Sequence, residues 1–255
     1  KGEVQMDGTS VYGSRAGRKN LQKRLSVVFQ DYTTSANPRF RVKDLIGEGL
    51  AARERKNRER LDRQEETRKL LELVGLDESY ASRFPHELSG GQLQRVCIAR
   101  AVACQPEMIL FDEAVSSLDA HTQVQVMDLL LDLKKKLGLT YIFITHDLSV
   151  VKYFSDDIAV MYLGQMVEKA PSDVLFQNPV HPYTKALLSA IPLPIVGKEK
   201  PARQLIRGEI TSPVNLPDEC RFMKRCDCAA ECCKNGNPQL REIEPGHFVA
   251  CSRVN

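Results

Sequence analysis

Two short apolar runs dominate the pattern of hydrophobic and polar positions in the middle of the 255-residue chain. Residues 108–111 form the first run and lead into Asp112 and Glu113, and the strand-like residues 140–145 lead into His146. Unbroken apolar runs of this length are typical of strands that are buried in a parallel sheet. Because open α/β sheets hold their ligands at the carboxyl ends of their strands, we expect these acidic and histidine side chains to lie in a site.

A turn of small residues precedes a helical pattern just before the first of these runs. The turn consists of Ser89, Gly90, Gly91 and Gln92, and the following apolar positions are Leu93, Val96, Cys97 and Ala101. This spacing predicts a helix that begins near Gly91. Free N–H groups and the positive end of the helix dipole make such a start suitable for a phosphate. An ordinary serine N-cap followed by a glycine turn is the alternative, and Ser-Gly-Gly alone does not separate the two.

The two carboxylates at the end of the first run suit phosphate chemistry for different reasons. Asp112 can hold a magnesium ion directly or through water, because carboxylate oxygens are ligands that this ion prefers. Glu113 can orient and polarise a water molecule for attack on a phosphoryl group. A solvated strand end with two acids is the alternative for the pair taken alone. The second strand, which delivers His146 at the corresponding end, favours the functional interpretation.

Shorter signals predict hairpins and a further strand. Residues 3–12 are typical of a hairpin with its turn at Asp7-Gly8, and residues 157–169 are typical of a second hairpin with its turn at Gly164-Gln165. Residues 25–29 form an apolar run that predicts a strand ending at Gln30.

The charged and amphipathic stretches predict helices. Residues 33–86 form a separate region in which residues 51–69, dense in Arg, Lys and Glu, predict a solvated helix face. Gly75 is a helix stop signal for this region. Asp119 predicts the N-cap of another helix. The apolar face of that helix is predicted to comprise Val124, Met127, Leu130, Leu131 and Leu137.

Composition limits the classes of function. A chain of this length can hold one α/β domain with a full core and a smaller appendage. The net charge of +3 and the absence of Trp give no strong case for nucleic-acid binding. No signal peptide is visible, and no apolar run approaches the about 18 residues of a membrane span, so membrane association is expected through a partner.

Taken together, these motifs closely resemble the nucleotide-binding subunit of an ABC transporter. The matching segments, in chain order, are Gln30 (Q-loop), residues 88–92 (signature), residues 110–113 (Walker B), residues 117–119 (D-loop) and His146 (switch histidine). The resemblance implies an α/β fold, namely a P-loop NTPase-like ABC ATPase domain over residues 1–170. Its helical subdomain is expected at about residues 33–105.

The resemblance also implies roles for these residues. Glu113 would position the attacking water, His146 would contact the γ-phosphate, and Asp112 and Gln30 would serve magnesium. Ser89, Gly90, Gly91 and Gln92 would face ATP held by another subunit. Asp119 would communicate across a dimer.

The phosphate-binding loop of this family is missing from the sequence. No Gly-x-x-x-x-Gly-Lys-Ser/Thr pattern occurs, and Lys1-Gly2-Glu3-Val4 looks like the middle of a domain. In the family that loop lies a short distance upstream of this point. We therefore expect an N-terminally truncated, incomplete ATPase domain that is not competent to bind or hydrolyse ATP alone; a protein that naturally lacks the loop is the alternative.

The C-terminal part, residues 171–255, resembles the extension of peptide and nickel importer ATPases, with a cysteine cluster at 220–251. The match starts at the Pro-rich segment 178–184. Cys220, Cys226, Cys233 and Cys251 resemble the four-cysteine tail of the oligopeptide-permease ATPase, which is associated with an iron–sulfur cluster. Four thiolates can hold a [4Fe–4S] cluster or zinc. Cys232 is an alternative third ligand, and a metal-free tail is the alternative to both.

These resemblances predict an ATP- and Mg²⁺-dependent subunit that powers import of oligopeptides, dipeptides or nickel. The expected partners are a second ABC ATPase subunit, identical or different, two transmembrane permease subunits and, indirectly, an extracytoplasmic substrate-binding protein, but no nucleic acid. The expected location is the cytoplasmic face of the cell membrane, as a peripheral protein. The alternatives are a DNA-repair or ribosome-associated ABC ATPase, and an inactive fragment that acts as a metal-binding interaction module.

Overall fold

The computed structural model describes residues 3–191, 206, 208 and 214–254, with Ser149 described by its backbone alone. Contacts divide the chain into two compact units, Lys1–His146 and Asp147–Asn255. The expected division into an ATPase domain of residues 1–170 and an extension of residues 171–255 rests on family resemblance, and it stays a prediction.

The first unit contains a short hairpin and a parallel sheet. The hairpin pairs β1 (Gln5–Met6) with β2 (Thr9–Ser10), and its turn at Asp7 and Gly8 is confirmed. The sheet has the order β3-β4-β5, formed by β3 (Leu25–Val28), β4 (Met108–Asp112) and β5 (Thr140–Ile144). Both neighbouring pairs are parallel, so the three carboxyl ends meet at one edge of the sheet.

Burial differs between the two strands that the apolar runs predicted. In β4, Ile109 and Phe111 are fully buried on one face. In β5, Ile142 and Ile144 are each 47% exposed, because the structure places this strand at the edge of the described sheet. An apolar sequence therefore marks both strands correctly but does not tell an interior strand from an edge strand.

Helices connect and cover these strands. They are α1 (Arg15–Arg24), α2 (Tyr32–Ser35), α3 (Val42–Asn57), α4 (Arg63–Leu73), α5 (Gly90–Ala103) and α6 (Ala120–Leu137). Two 3-10 turns, Glu78–Ser82 and Pro85–Glu87, lead from α4 to α5. The predicted helix stop at Gly75 is confirmed, since α4 ends two residues earlier and Gly75 has a φ of +70°.

The prediction that the charged segment 51–69 forms one solvated helix face is wrong. The segment contains the end of α3 and the start of α4, which are separated by a turn. Arg58 adopts left-handed backbone at the end of α3, and Asp62 caps the start of α4. Arg53 forms ion pairs with Glu59 at 3.0 Å and with Glu66 at 2.6 Å. Opposite charges within the run therefore pair across the turn, which a composition of mixed sign permits but does not specify.

Helices α3 and α5 are in unusually close contact. A Cβ placed on Gly49 of α3 would lie 2.3 Å from the backbone oxygen of Arg100 and 2.7 Å from Cβ of Ala103, both in α5. Only glycine permits this approach of two helix backbones. The helical region is therefore packed directly against the helix that follows the small-residue turn.

The predicted apolar face of α6 is partly wrong. Met127 and Leu130 are buried as expected, whereas Val124 is 57% and Leu137 is 43% exposed. The buried residues of this helix are Val126, Met127, Leu130 and Leu133. Their spacing of three and four residues defines one stripe. Val124 lies outside this stripe, whereas Leu137 continues its spacing but is the last residue of the helix.

The second unit is built on an antiparallel sheet of order β6-β7-β9-β8. Its strands are β6 (Asp157–Tyr162), β7 (Gln165–Pro171), β8 (Arg241–Glu244) and β9 (His247–Val249). Its helices are α7 (Leu148–Phe154), α8 (Ser172–Gln177) and α9 (Pro182–Ser189). Two further 3-10 turns are Met223–Arg225 and Glu231–Lys234. Among the described helices, none has the length and hydrophobicity needed to cross a membrane.

The hairpin predicted for residues 157–169 is confirmed with its turn shifted by one residue. Tyr162 pairs with Gln165, so Leu163 and Gly164 form the turn. Both have positive φ angles, +46° and +74°, as a type I′ turn requires. Gln165 instead belongs to β7 and donates a side-chain hydrogen bond of 2.6 Å to the backbone oxygen of Pro238.

Candidate functional site

Three side chains meet where the parallel strands of the first unit end. Gln30 follows β3, Glu113 follows β4 and His146 follows β5. Gln30 Nε2 donates a hydrogen bond of 2.8 Å to Glu113 Oε2, and His146 Nδ1 lies 3.2 Å from Glu113 Oε1. Both carboxylate oxygens of Glu113 are therefore held by neighbours that come from different strands.

Glu113 has an uncommon backbone conformation. Its φ of +47° lies in the left-handed region, which a residue with a Cβ rarely adopts. Two hydrogen bonds of the Glu113 backbone hold this conformation. The backbone N–H donates to the backbone oxygen of Ile144 at 2.9 Å, and the backbone oxygen accepts from Ser116 Oγ at 2.8 Å. Strained backbone that surrounding contacts hold in place is concentrated at functional sites.

Asp112 is the carboxylate at this edge that the sequence predicted as a magnesium ligand. Asp112 is the last residue of β4, is partly exposed and pairs in register with Ile144. Magnesium is commonly held by one or two carboxylates together with substrate phosphates and water. Asp112 supplies one carboxylate of this kind at the edge where Gln30 also lies.

The small-residue turn forms a reciprocal N-cap of α5. Ser89 Oγ accepts from the N–H of Gln92 at 3.3 Å, and Gln92 Oε1 accepts from the N–H of Ser89 at 3.0 Å. Gln92 Nε2 donates to Tyr80 Oη at 2.9 Å. The side chain of Gln92 thus fixes the turn. The ordinary N-cap, which the sequence left as an alternative, is present.

The same turn leaves backbone donors free. The N–H groups of Gly90 and Gly91 donate to no atom of the part of the chain that the structure describes. A Cβ on Gly91 would lie 2.3 Å from Thr122 Cγ2, and a Cβ on Gly90 would lie 2.6 Å from Tyr32 Oη. Capping and phosphate binding are therefore compatible, because the cap occupies the N–H of Gln92 and not those of the two glycines.

Asp119 caps α6, as the sequence predicted. Its Oδ1 accepts from the N–H of Thr122 at 3.0 Å, and its Oδ2 accepts from Thr122 Oγ1 at 2.6 Å. These hydrogen bonds from Thr122 lower the pKa of Asp119. Since Thr122 also contacts Gly91, the start of α6 and the start of α5 are packed together.

The structure thus forms two groups from the predicted residues. One group joins Gln30, Glu113 and His146, and the other joins residues 89–92 to residues 119–122. Sequence reasoning missed Tyr32, Tyr80 and Thr122, which contact the turn from distant parts of the chain. None of the three belongs to a motif or to an apolar periodicity.

The four cysteines predicted as metal ligands lie in the second unit. The N–H of Cys220 donates to the backbone oxygen of Cys233 at 2.9 Å, and Cys233 is buried. Burial raises the pKa of Cys220 and raises that of Cys226 to about 11. Within the described residues, no three His, Cys, Asp or Glu side chains are grouped to hold a metal ion. The predicted zinc or iron–sulfur site at Cys220, Cys226, Cys233 and Cys251 therefore has no support from the described residues, and it stays a prediction.

The parallel sheet with glutamine, Asp-Glu and histidine at its carboxyl edge, and the glycine turn at the start of α5, define an ABC-type ATPase. Family profiles agree: residues 1–116 match the family described as "ABC transporter", and residues 167–233 match "Oligopeptide/dipeptide transporter, C-terminal region". The chain belongs to the family of ABC transporter ATP-binding proteins, whose members use ATP and Mg²⁺.

Two relatives from Bacillus subtilis (strain 168) match nearly the whole chain. The putative oligopeptide transport ATP-binding protein YkfD is 47% identical over 253 residues, which cover 98% of this chain and 77% of the relative. The oligopeptide transport ATP-binding protein OppF is 45% identical over 258 residues, which cover 99% and 77%. The predicted family is confirmed.

Two solved structures share the fold. The dimeric ATP-binding cassette MJ0796, in a post-hydrolysis state with ADP and Pi, is 28% identical with a TM-score of 0.58, covering 68% of this chain and 74% of that chain. CbiO1 from Clostridium perfringens, part of the ABC transporter complex cbiONQ, is 26% identical with a TM-score of 0.61, covering 70% and 69%. The predicted α/β ABC ATPase fold is confirmed.

Proposed function

We propose that this protein is the ATP-hydrolysing subunit of an ABC importer for oligopeptides or dipeptides. The observation that carries hydrolysis is the arrangement in which Gln30 and His146 hold the two oxygens of Glu113. The observation that supports a peptide cargo is the match of residues 167–233 to the peptide-transporter C-terminal family. Nickel as cargo and an iron–sulfur cluster have no such support and are left out of the proposal.

Each group at the carboxyl edge of the sheet has a role in hydrolysis. Asp112 and Gln30 would hold a magnesium ion, which would supply positive charge next to the phosphate oxygens. Glu113 orients and polarises the attacking water, and the hydrogen bond from Gln30 together with the contact of His146 holds the carboxylate in place. His146, with a side chain that is 71% exposed, is accessible to a terminal phosphate. Positioning and electrostatics are the main catalytic contributions in phosphoryl transfer.

The glycine turn acts on nucleotide held by a second subunit. Ser89 and the free N–H groups of Gly90 and Gly91 face the terminal phosphate in a dimer, and Gln92 keeps the turn in shape. Asp119 lies beside this turn and carries the contact across the dimer. Because the sequence contains no Gly-x-x-x-x-Gly-Lys-Ser/Thr loop, we propose that this chain alone does not hydrolyse ATP.

The dimer works with membrane partners. The second ATPase subunit is identical or different, and the pair docks on two transmembrane permease subunits at the cytoplasmic face of the membrane. An extracytoplasmic substrate-binding protein delivers the peptide to the permeases. The family resemblance supports this assembly, in which closure of the dimer on ATP moves the helical region of residues 33–105.

The test is Glu113→Gln in the full-length protein, assembled with its partner subunits. We expect ATP to remain bound while its hydrolysis falls at least about 100-fold, because the amide no longer polarises the water. Glu107→Gln is the matched control, since Glu107 lies next to the other end of β4 and pairs with Arg24. Undiminished hydrolysis by the Glu113→Gln variant would show that the assignment is wrong.

The cargo is tested by uptake of labelled oligopeptides and dipeptides into cells or vesicles that contain the assembled importer. We expect peptide uptake that stops when Glu113 is replaced by Gln. Uptake of nickel but not of peptide would contradict the proposed cargo while leaving the ATPase assignment intact.

A further inference from the structure

Tyr32 is in contact with the glycine turn, although it lies 58 positions before Gly90 in the sequence. It is the first residue of α2 and comes two residues after Gln30. A Cβ on Gly90 would lie 2.6 Å from Tyr32 Oη and 3.7 Å from Leu118 Cδ2. Tyr32, just after the Q-loop glutamine, and Leu118 of the D-loop therefore both approach Gly90 of the signature.

The hydroxyl of Tyr32 is held at this position without a hydrogen bond. The side chain is partly buried, and its oxygen has no hydrogen-bond partner among the residues that the structure describes. The contrast is Tyr80, whose hydroxyl accepts from Gln92 Nε2. Because no hydrogen bond joins Tyr32 to Gly90, their contact is one of shape.

Hydrogen bonds also join α2 to α5. Arg100 Nη1 donates to the backbone oxygen of Ser35 at 2.8 Å, and Ser35 Oγ donates to the backbone oxygen of Tyr32 at 3.1 Å. The carboxylate of Asp31 accepts from the N–H groups of Thr33 and Thr34, which fixes the start of α2. These bonds define where the ring of Tyr32 lies against α5.

We propose that Tyr32 is a positioning residue for ATP hydrolysis, acting through Gly90. It holds the signature turn at a fixed place relative to Gln30, which in turn contacts Glu113. A shift of the carboxylate edge is thereby passed to the free N–H groups of Gly90 and Gly91, and a shift of the turn is passed back. This proposal rests on the proposed function, in which that turn faces the terminal phosphate of ATP held by a second subunit.

Removal of the Tyr32 ring tests the contact in the assembled, full-length importer. Tyr32→Ala removes the ring, and we expect kcat for ATP to fall about tenfold, because small misplacements of a phosphate-binding group are costly in rate. The inhibition constant for ADP is expected to stay unchanged, since ADP lacks the terminal phosphate that this turn faces. Tyr12→Ala is the matched control, because Tyr12 is 71% exposed in the same unit.

The decisive test is a rescue. Gly90→Ala alone is expected to reduce hydrolysis strongly, since its methyl group meets Tyr32 Oη at 2.6 Å. In combination with Tyr32→Phe the nearest ring atom, Cζ, is at 3.5 Å, which is ordinary contact, so we expect several-fold recovery. Thermal unfolding checks that each variant is folded.

The outcomes separate the two proposals. Hydrolysis by Tyr32→Ala within about twofold of the wild type, an equal effect on ADP inhibition, or no recovery of Gly90→Ala by Tyr32→Phe would each overturn the role of Tyr32. Wild-type importer without magnesium-dependent hydrolysis, or full activity of Glu113→Gln, would instead overturn the proposed function.

Discussion

Glu168 and His247, 79 positions apart in the sequence, form a hydrogen bond of 2.8 Å between Oε1 and Nε2, with side chains that are no more than 1% exposed. The carboxylate of Glu168 also accepts from the N–H groups of Val180 at 2.8 Å and His181 at 2.9 Å. One buried carboxylate thus joins β7, β9 and the start of α9. Buried charges are retained in proteins where such partners satisfy them.

The first prediction concerns this carboxylate. Glu168→Gln replaces an oxygen acceptor by an NH₂ donor next to groups that donate, so at least one buried donor loses its partner. We expect a loss of about 3 kcal/mol in the free energy of unfolding of the second unit. Urea unfolding of the purified chain measures it. Glu231→Gln, at a side chain that is 85% exposed, is the control, and an equal change in both variants would contradict the explanation.

The second prediction concerns acid stability. Burial lowers the pKa of His181 to about 4, and its Nδ1 accepts from the N–H of Tyr183 at 3.1 Å, so the folded state requires a neutral ring. The unfolded histidine takes up a proton near pH 6.5. Stability that is present above this pH is therefore lost as the pH falls towards 4, by about 3 kcal/mol in total.

His181→Asn isolates this contribution. Asparagine keeps an acceptor suited to an N-cap but does not titrate. We expect the stability of the variant to depend less steeply on pH between 6.5 and 4 than that of the wild type, as measured by urea unfolding at several pH values. If the free energy of unfolding depends on pH equally in the two proteins, His181 is not the cause of the loss of stability in acid.

The third prediction concerns the packing of Gly91 on α6. Gly91→Ala places a methyl group 2.3 Å from Thr122 Cγ2, so we expect destabilisation and reduced hydrolysis in the assembled importer. Thr122→Ser removes the threonine methyl group, Cγ2, and keeps the hydroxyl that donates a hydrogen bond to Asp119. The double variant should therefore recover part of the lost stability and activity. Urea unfolding and ATPase rates measure both.

Gly47→Ala is the control for Gly91→Ala. Gly47 lies inside α3, and a Cβ there would meet nothing within 4 Å. Because alanine favours a helix over glycine, we expect it to stabilise the protein by about 0.5–1 kcal/mol. If the Gly91→Ala variant is as stable and as active as the Gly47→Ala control, the close contact between Gly91 and Thr122 is contradicted.

Local patterns in the sequence predicted much of the fold and part of the site. The apolar runs located β4 and β5, and their common direction brought Glu113 and His146 to one edge. Periodicity placed Leu93, Val96, Cys97 and Ala101 in the core, where all four are buried. Such features depend on the order of neighbouring residues, so they can be read before any tertiary contact is known.

Contacts between distant residues could not be predicted in this way. The burial of Glu168 depends on His247, and the need for glycine at position 90 depends on Tyr32. In α6, the side that faces the core was decided by packing, so Val124 is exposed although it is as apolar as Val126. The cysteine spacing resembled a metal site, but the described residues show no group of three side chains placed to hold a metal ion.

The missing Cβ of Gly49 has a mechanical consequence. With the backbone of α3 resting on the oxygen of Arg100, neither helix can slide along the other without a collision. A displacement of α3 is therefore expected to move α5, the helix that begins at Gly90. This direct contact between the two helices exists only because position 49 carries no methyl group.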